Sequence, residues 1–230
     1  MNVLGGRAAS VLVGLATAIV IVAVTILPFL TPGWVAFEQD RANATGWTGF
    51  TTGELRSATD AILGDLVVGG AFAVELNGRP VLNERERAHM ADVRSVFRGL
   101  WILAAASVVV LVVVGRRADR VATWRAVRVG AFGVTIGVGI AGAVGYLAFD
   151  KLFELFHQIF FPAGSYLFDP ATDRLVQLFP FQFWDETAMV VGAVMVAVAL
   201  AVAVLAGRRA ARFGRRQANR ELTAVAEPGS

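Results

Sequence analysis

At 230 residues, 56% of them hydrophobic, with a mean hydropathy of +0.62, the chain is too apolar for a soluble globular domain, in which about half of the residues are apolar. It contains no cysteine, which excludes a disulfide framework, a thiolate nucleophile and a cysteine metal cluster. Its net charge of +3 does not point to nucleic acid, because the arginines flank apolar runs, where the anionic lipid of an inner leaflet is the expected partner.

Four apolar stretches, Ala8 to Leu27, Gly99 to Val114, Ala131 to Phe149 and Thr187 to Ala206, each approach the roughly 20 residues a helix needs to cross a bilayer. The first contains Ala16-Thr17-Ala18, which looks like a signal-peptidase site but lies inside the apolar run, so an uncleaved anchor is expected. Lys151 is the only lysine, and the arginines are unevenly placed. Arg7 precedes the first span, Arg116, Arg117, Arg120, Arg125 and Arg128 fill the link between spans two and three, and six arginines from Arg208 to Arg220 follow span four. The positive-inside rule makes these regions cytoplasmic, with both termini inside and the segments Phe29 to Arg98 and Asp150 to Glu186 outside a plasma membrane. The expected architecture is an all-α membrane protein, a four-transmembrane-helix bundle with a small extracytoplasmic cap made of a short helix and a β-hairpin. Its divisions are 1–28 (span one), 29–98 (cap), 99–149 (spans two and three with their arginine-rich link), 150–186 (second outer segment), 187–207 (span four) and 208–230 (basic tail).

Taken in chain order, the cap opens with Thr51 and Glu54 as a capping box, after which Leu55, Ile62, Leu63 and Leu66 recur at helical spacing. Asn77-Gly78 between Phe72–Leu76 and Arg79–Leu82 is a hairpin signal, with Pro80 confining its strand to an edge. Asn83 with Glu86 forms a second capping box, and no breaker separates it from Gly99, so a helix starting near Glu84 is expected to run straight into span two. Span three is expected to leave the membrane unbroken as far as Pro162 and to carry His157 outward. Asp169-Pro170-Ala171-Thr172 reads as a turn, Phe179–Trp184 as an aromatic stretch suited to the headgroup layer, Asp185 as the cap of span four, and the tail after Glu221 as disordered.

Only two histidines exist, and both fall outside the membrane. His89 precedes Gly99 by ten residues and His157 follows Phe149 by eight, placing them roughly 15 and 12 Å beyond the apolar boundary at about 1.5 Å per residue. Spans two and three share a short link and run antiparallel, so the two imidazoles can face one site; ordinary interfacial histidines are the alternative. Glu86-Arg87-Ala88-His89 and Glu154-Leu155-Phe156-His157 also share the Glu-x-x-His spacing of dimetal helical bundles. Spans one and four lack the further glutamates that such a site needs, so no metal and no cofactor is expected. The apolar runs carry no Asp, Glu, Lys, Arg or His, which disfavours a transporter or pump, and the sequence lacks G-x-S-x-G, H-E-x-x-H and phosphate-loop motifs.

Two stretches carry a resemblance: Asn83-Glu84-Arg85-Glu86-Arg87-Ala88-His89-Met90-Ala91-Asp92-Val93, and Phe156-His157-Gln158-Ile159-Phe160-Phe161 continuing through Asp169-Pro170-Ala171-Thr172-Asp173-Arg174-Leu175 to Phe179-Pro180. On four spans, and in this order, they resemble the lipoprotein intramolecular transacylase family. The resemblance implies a bacterial plasma-membrane acyltransferase that moves the sn-2 acyl chain of a diacylglyceryl lipoprotein to the α-amino group of its N-terminal cysteine, giving a lyso-form lipoprotein. It implies His89 and His157 as the catalytic pair. Arg85, Asp92, Glu154, Arg174 and Trp184 are candidates for orienting or substrate-binding roles, with surface salt bridging the rival reading for the charged ones. The competing class is a non-catalytic assembly or binding protein, with Phe160, Phe161 and Trp184 as interface anchors. Nothing in the sequence fixes the oligomeric state.

Overall fold

The structure, a computed structural model, describes residues 3–226. Four long helices dominate: α1 (Val3–Ile26), α5 (Glu84–Arg117), α6 (Arg120–Phe160) and α8 (Phe181–Ala226). Each is long and apolar enough to cross a membrane, and the protein is an all-α integral membrane protein. Between α1 and α5 lie a 3-10 turn at Leu27–Leu30, α2 (Pro32–Arg41), α3 (Ala44–Thr48), α4 (Thr52–Val67) and a hairpin of β1 (Glu75–Leu76) and β2 (Arg79–Pro80), while α7 (Arg174–Leu178) precedes α8.

As expected, α5 is continuous from the second capping box into the apolar run. Two expectations need correction. Helix α6 does not pass unbroken to its end, since Ala148 leaves helical geometry (φ −155°, ψ 57°) just after a stretch containing Gly142 and Gly145, residues of low helix propensity. The tail after Glu221 was expected to lack structure, yet α8 extends to Ala226; residues 227–230 lie outside the described range. The short helices α2, α3 and α7 were not anticipated.

The chain divides into two compact units. One comprises the chain up to Thr25, Ile102–Ile140 and the chain from Ala193 on. Its helices pack through small residues, the usual device where lipid supplies no hydrophobic drive. A Cβ on Gly130 would stand 2.2 Å from the Gly14 carbonyl oxygen, so α1 and α6 touch backbone to backbone. Ala199, Ala203, Ala206 and Ala210 are buried along one face of α8. Beyond the apolar runs, arginines lie over aromatic rings, Arg120 5.3 Å from the Phe213 centroid and Arg209 5.8 Å from that of Trp124.

The other unit comprises Ile26–Trp101 and Ala141–Gly192. Its core gathers Leu55, Ala58, Ile62 and Leu63 from α4 with Val35, Phe72, Leu82, Leu178 and Phe179. Helix α4 starts where expected: the Thr51 hydroxyl accepts from the Glu54 amide and the Glu54 carboxylate accepts from the Thr51 amide. Inside the core, Gln39 is fully buried and donates to Thr59 Oγ1 and to the Leu178 carbonyl, both at 2.9 Å, so a polar group with no access to water keeps its bonds. The hairpin turns on Asn77 (φ 53°) and Gly78 (φ 72°), the pair of left-handed residues that a type I′ turn requires.

Candidate functional site

The site is built from the first turn of α5. Glu86 and Asn83 cap it reciprocally: Glu86 Oε2 accepts from the Asn83 amide at 2.7 Å and Asn83 Oδ1 accepts from the Glu86 amide at 3.0 Å. Glu86 is only 1% exposed, and its second oxygen accepts from the Leu175 amide at 2.6 Å, tying α5 to the start of α7. Asp173 makes the second tie. Its Oδ1 accepts from Asn83 Nδ2 at 3.2 Å, and its Oδ2 from Arg85 Nη2 at 2.9 Å and the Asp169 amide at 2.8 Å. These bonds hold the segment after α6 against the start of α5.

His89, one turn on from Glu86, is 6% exposed and lies against Phe161 and Phe168, whose ring centroids are 4.8 and 5.4 Å away. His157, in the last turn of α6, stands with its ring centroid 6.0 Å from that of His89 and its plane within 19° of parallel. Phe153, Tyr166 and Phe161 pack on His157 at 4.2, 5.1 and 5.3 Å. The two histidines, 68 positions apart in the sequence, therefore share one aromatic-walled site, as their matched heights predict.

Electrostatics sets their protonation. His157 Nδ1 lies 2.7 Å from the Phe153 carbonyl, which can only accept, so Nδ1 carries the hydrogen and Nε2 keeps its lone pair. His89 Nδ1 is buried without a partner, leaving Nε2 as the nitrogen able to meet a ligand. Both rings lie beyond the apolar runs of their helices. Burial, and secondarily the neighbouring His157, pushes His89 down to about 4, against an opposing pull from Asp92. Burial also lowers His157, opposed by its bond to the Phe153 carbonyl. Both imidazoles are thus neutral at neutral pH.

The other candidates separate. Arg85 joins the site's frame, ion-paired to Asp173 with its guanidinium 5.0 Å from the Phe168 ring centroid. Asp92 is half-buried and near enough to His89 to act on its charge. Trp184 reaches the pair through Phe153, 6.2 Å from its ring. Arg174 turns elsewhere, donating to the Thr48 carbonyl and to Gln177 Oε1, with the Phe50 ring 5.1 Å from its guanidinium. Glu154 is exposed and accepts from Gln158. With Glu86 committed to two amides and Glu154 turned outward, the Glu-x-x-His carboxylates do not converge, and among the described residues no group of three or more ligating side chains comes together. Phe161 is buried in the site, whereas Phe160 is exposed. Asp173, Phe168 and Tyr166 are site residues that the sequence does not single out, and Glu86, legible as a cap and as half of a Glu-x-x-His spacing, gives no sign of its tie to Leu175; the turn at Asp169-Pro170-Ala171-Thr172 is the one local signal nearby.

Among solved structures, the chain is similar to the membrane integral lipoprotein intramolecular transacylase Lit from Bacillus cereus, with TM-score 0.74, 19% identity, 94% of this chain covered and 99% of that one. Two single-histidine variants of the same Bacillus cereus protein, one to arginine and one to alanine, match at TM-scores of 0.71 and 0.69, each at 18% identity over 92% of this chain and over 94% and 96% of theirs. At these identities the likeness establishes the fold. No curated protein shows significant similarity to the chain. Residues 10–184, over half of the 230, match the family described as lipoprotein intramolecular transacylase Lit, and the chain belongs to that family.

Proposed function

We propose that the protein transfers the sn-2 acyl chain of a diacylglyceryl lipoprotein to the α-amino group of the same lipidated cysteine, with His89 and His157 moving the protons. The observation that carries this reading is the pair of near-parallel, neutral imidazoles 6.0 Å apart, one of them held in a single tautomer.

In this mechanism the amine nitrogen attacks the sn-2 ester carbonyl, forming the N–C bond as the amine proton passes to an imidazole Nε2. The tetrahedral intermediate collapses, the C–O bond to glycerol breaks, and the imidazolium returns its proton to the glycerol oxygen. Acyl chain and proton are conserved, and neither water nor a covalent acyl-enzyme is required. Donor and acceptor sit on one molecule, so holding them together is worth on the order of 7 to 11 kcal/mol. The aromatic walls exclude water from the tetrahedral intermediate, which would otherwise be open to hydrolysis. His157, with its lone pair fixed at Nε2, is the better candidate for the base; His89 faces it as the second proton carrier. Arg85 and Asp92 serve as orienting groups. Arg174, Glu154 and Trp184 stand outside this mechanism.

The topology follows the arginines. The protein is a multi-pass protein of the bacterial plasma membrane, with both termini cytoplasmic, basic helix ends among anionic lipid headgroups, and the histidine pair at the outer surface, where a lipoprotein substrate can enter sideways with its chains still in lipid. The decisive experiment supplies a synthetic diacylglyceryl lipopeptide to the protein in membranes. Product and substrate are isomers, so fragmentation mass spectrometry must locate the acyl chain. A shift from glycerol to the amine is the expected result, and its absence refutes the reading.

A further inference from the structure

The second unit carries an exposed apolar loop that the proton chemistry does not use and that stands outside its core. Val67-Val68-Gly69-Gly70-Ala71, at the end of α4, is exposed along its whole length and carries no polar side chain, with Val67 66% and Val68 89% exposed. The loop is built rather than slack. Arg94, on α5, donates to the carbonyls of Asp65 and Gly70, and its guanidinium lies 5.0 Å from the Phe72 ring centroid. Asp65 Oδ2 accepts from the Phe72 amide at 2.6 Å, and Phe72 itself is buried. Gly69 sits at φ +112°, where a side chain is strained, and a side chain at Gly70 would push the Asp65 carboxylate off the Phe72 amide, so the two glycines suit the clamp. An arginine, an aspartate and an anchored phenylalanine together hold two valines outward.

The clamp also fixes the height of the loop. Arg94 precedes Gly99, where the apolar run of α5 begins, by five residues, or about 7.5 Å of helix. The headgroup layer occupies roughly 5 to 7 Å on each side of the hydrocarbon, so a loop clamped at Arg94 stands close to its outer boundary, within reach of lipid headgroups. Facing water, an exposed five-residue run without one polar side chain would be a liability. The geometry points to Val67–Ala71 as a membrane-dipping anchor, its partner the lipid of the outer leaflet, which sets the depth of the helix that carries His89. This rests on the topology proposed above.

The chain has no cysteine, so a single introduced thiol reports alone. Val68→Cys and, at the hairpin tip, Asn77→Cys are each labelled with an environment-sensitive fluorophore in the full-length protein in lipid nanodiscs. The expected result is blue-shifted emission for the probe at position 68, lost on adding spin-labelled phosphatidylcholine and unaffected by iodide, with the reverse at position 77. Quenching at position 68 by iodide overturns the anchor, and so does a probe reached by neither quencher, which would mean that protein covers it. The topology is read separately in intact cells. If an impermeant thiol reagent fails to reach position 77 from outside, the topology itself is wrong; if it does reach it and position 68 lies in water, only the anchor falls.

Discussion

An imidazole can serve as a base only from a nitrogen that is both free and unprotonated, and at His157 one hydrogen bond meets both conditions. The Phe153 carbonyl claims Nδ1–H and so leaves the Nε2 lone pair available. Replacing either His89 or His157 by alanine is expected to lower the transfer rate about 10² to 10⁴-fold in protein that still inserts and folds. Glutamine is expected to do no better, since it keeps polarity without moving a proton; rate assays on each variant check this. The pH profile offers an independent test. The substrate amine must be neutral, and an α-amino group titrates at about 7.7 to 8.0, so log kcat/KM is expected to rise with slope one up to that region and to level off above it. Burial lowers both histidines, His89 to about 4, so their capacity to accept a proton is fully present above the ordinary histidine value and is lost only as pH falls through the lowered ones. The profile should therefore keep slope one through pH 6.5 and steepen only below it. A break to slope two at 6.5 would mean that the histidines are solvated.

At the scale of elements, the start of α5 depends on a carboxylate with no spare capacity. Both Glu86 oxygens accept amide hydrogens, one from its own cap and one from Leu175, 89 positions away. Glu86→Gln would aim an NH2 group at one of these donors, and leaving such a pair unsatisfied in a buried place costs about 1 to 3 kcal/mol. A lowered thermal midpoint together with reduced transfer is expected, whereas Arg85→Ala, which removes an ion pair more than half exposed on the arginine side, should change the midpoint little. Packing between α1 and α6 gives a second contrast: Gly130→Leu meets the Gly14 backbone and should destabilise the protein by about 1 to 3 kcal/mol or more, while Gly133→Ala, with open space around it, should be near neutral. Thermal unfolding in detergent measures both. These elements also mark the limit of what a sequence discloses. The two capping boxes and the Asn77-Gly78 turn were legible because their hydrogen bonds close within a few residues. Matched helical height brought the histidines together, since a rigid rise per residue carries a local pattern over long distances. The reach of Glu86 to α7 and the bonds of Asp173 were not legible, because each is decided by a partner far along the chain, and the break at Ala148 was not because it falls three residues past Gly145, at a residue of high helix propensity.

The orientation of the protein in the membrane is set by where its charges lie. Residues 29–98 contain nine carboxylates and residues 150–186 six, out of 18 in the chain, whereas five arginines crowd the link from Arg116 to Arg128 and six follow span four. Lysines and arginines in short loops and near span ends set orientation, whereas longer segments cross largely regardless of charge, so the link and the tail should be retained in the cytoplasm and the 70 residues 29–98, despite their seven arginines, exported together with 150–186. Four crossings by the helices capable of spanning would return the C-terminus to the side of the N-terminus. The histidine pair belongs to the unit containing both carboxylate-rich segments, so its sidedness stands or falls with theirs. Single cysteines at Asn77 and Thr172 should therefore react with an impermeant maleimide in intact cells, and one at Arg212 only after the membrane is permeabilised. Reaction at position 212 together with protection at 77 would invert the molecule and place the proton-transfer site on the side where exported lipoproteins are not found.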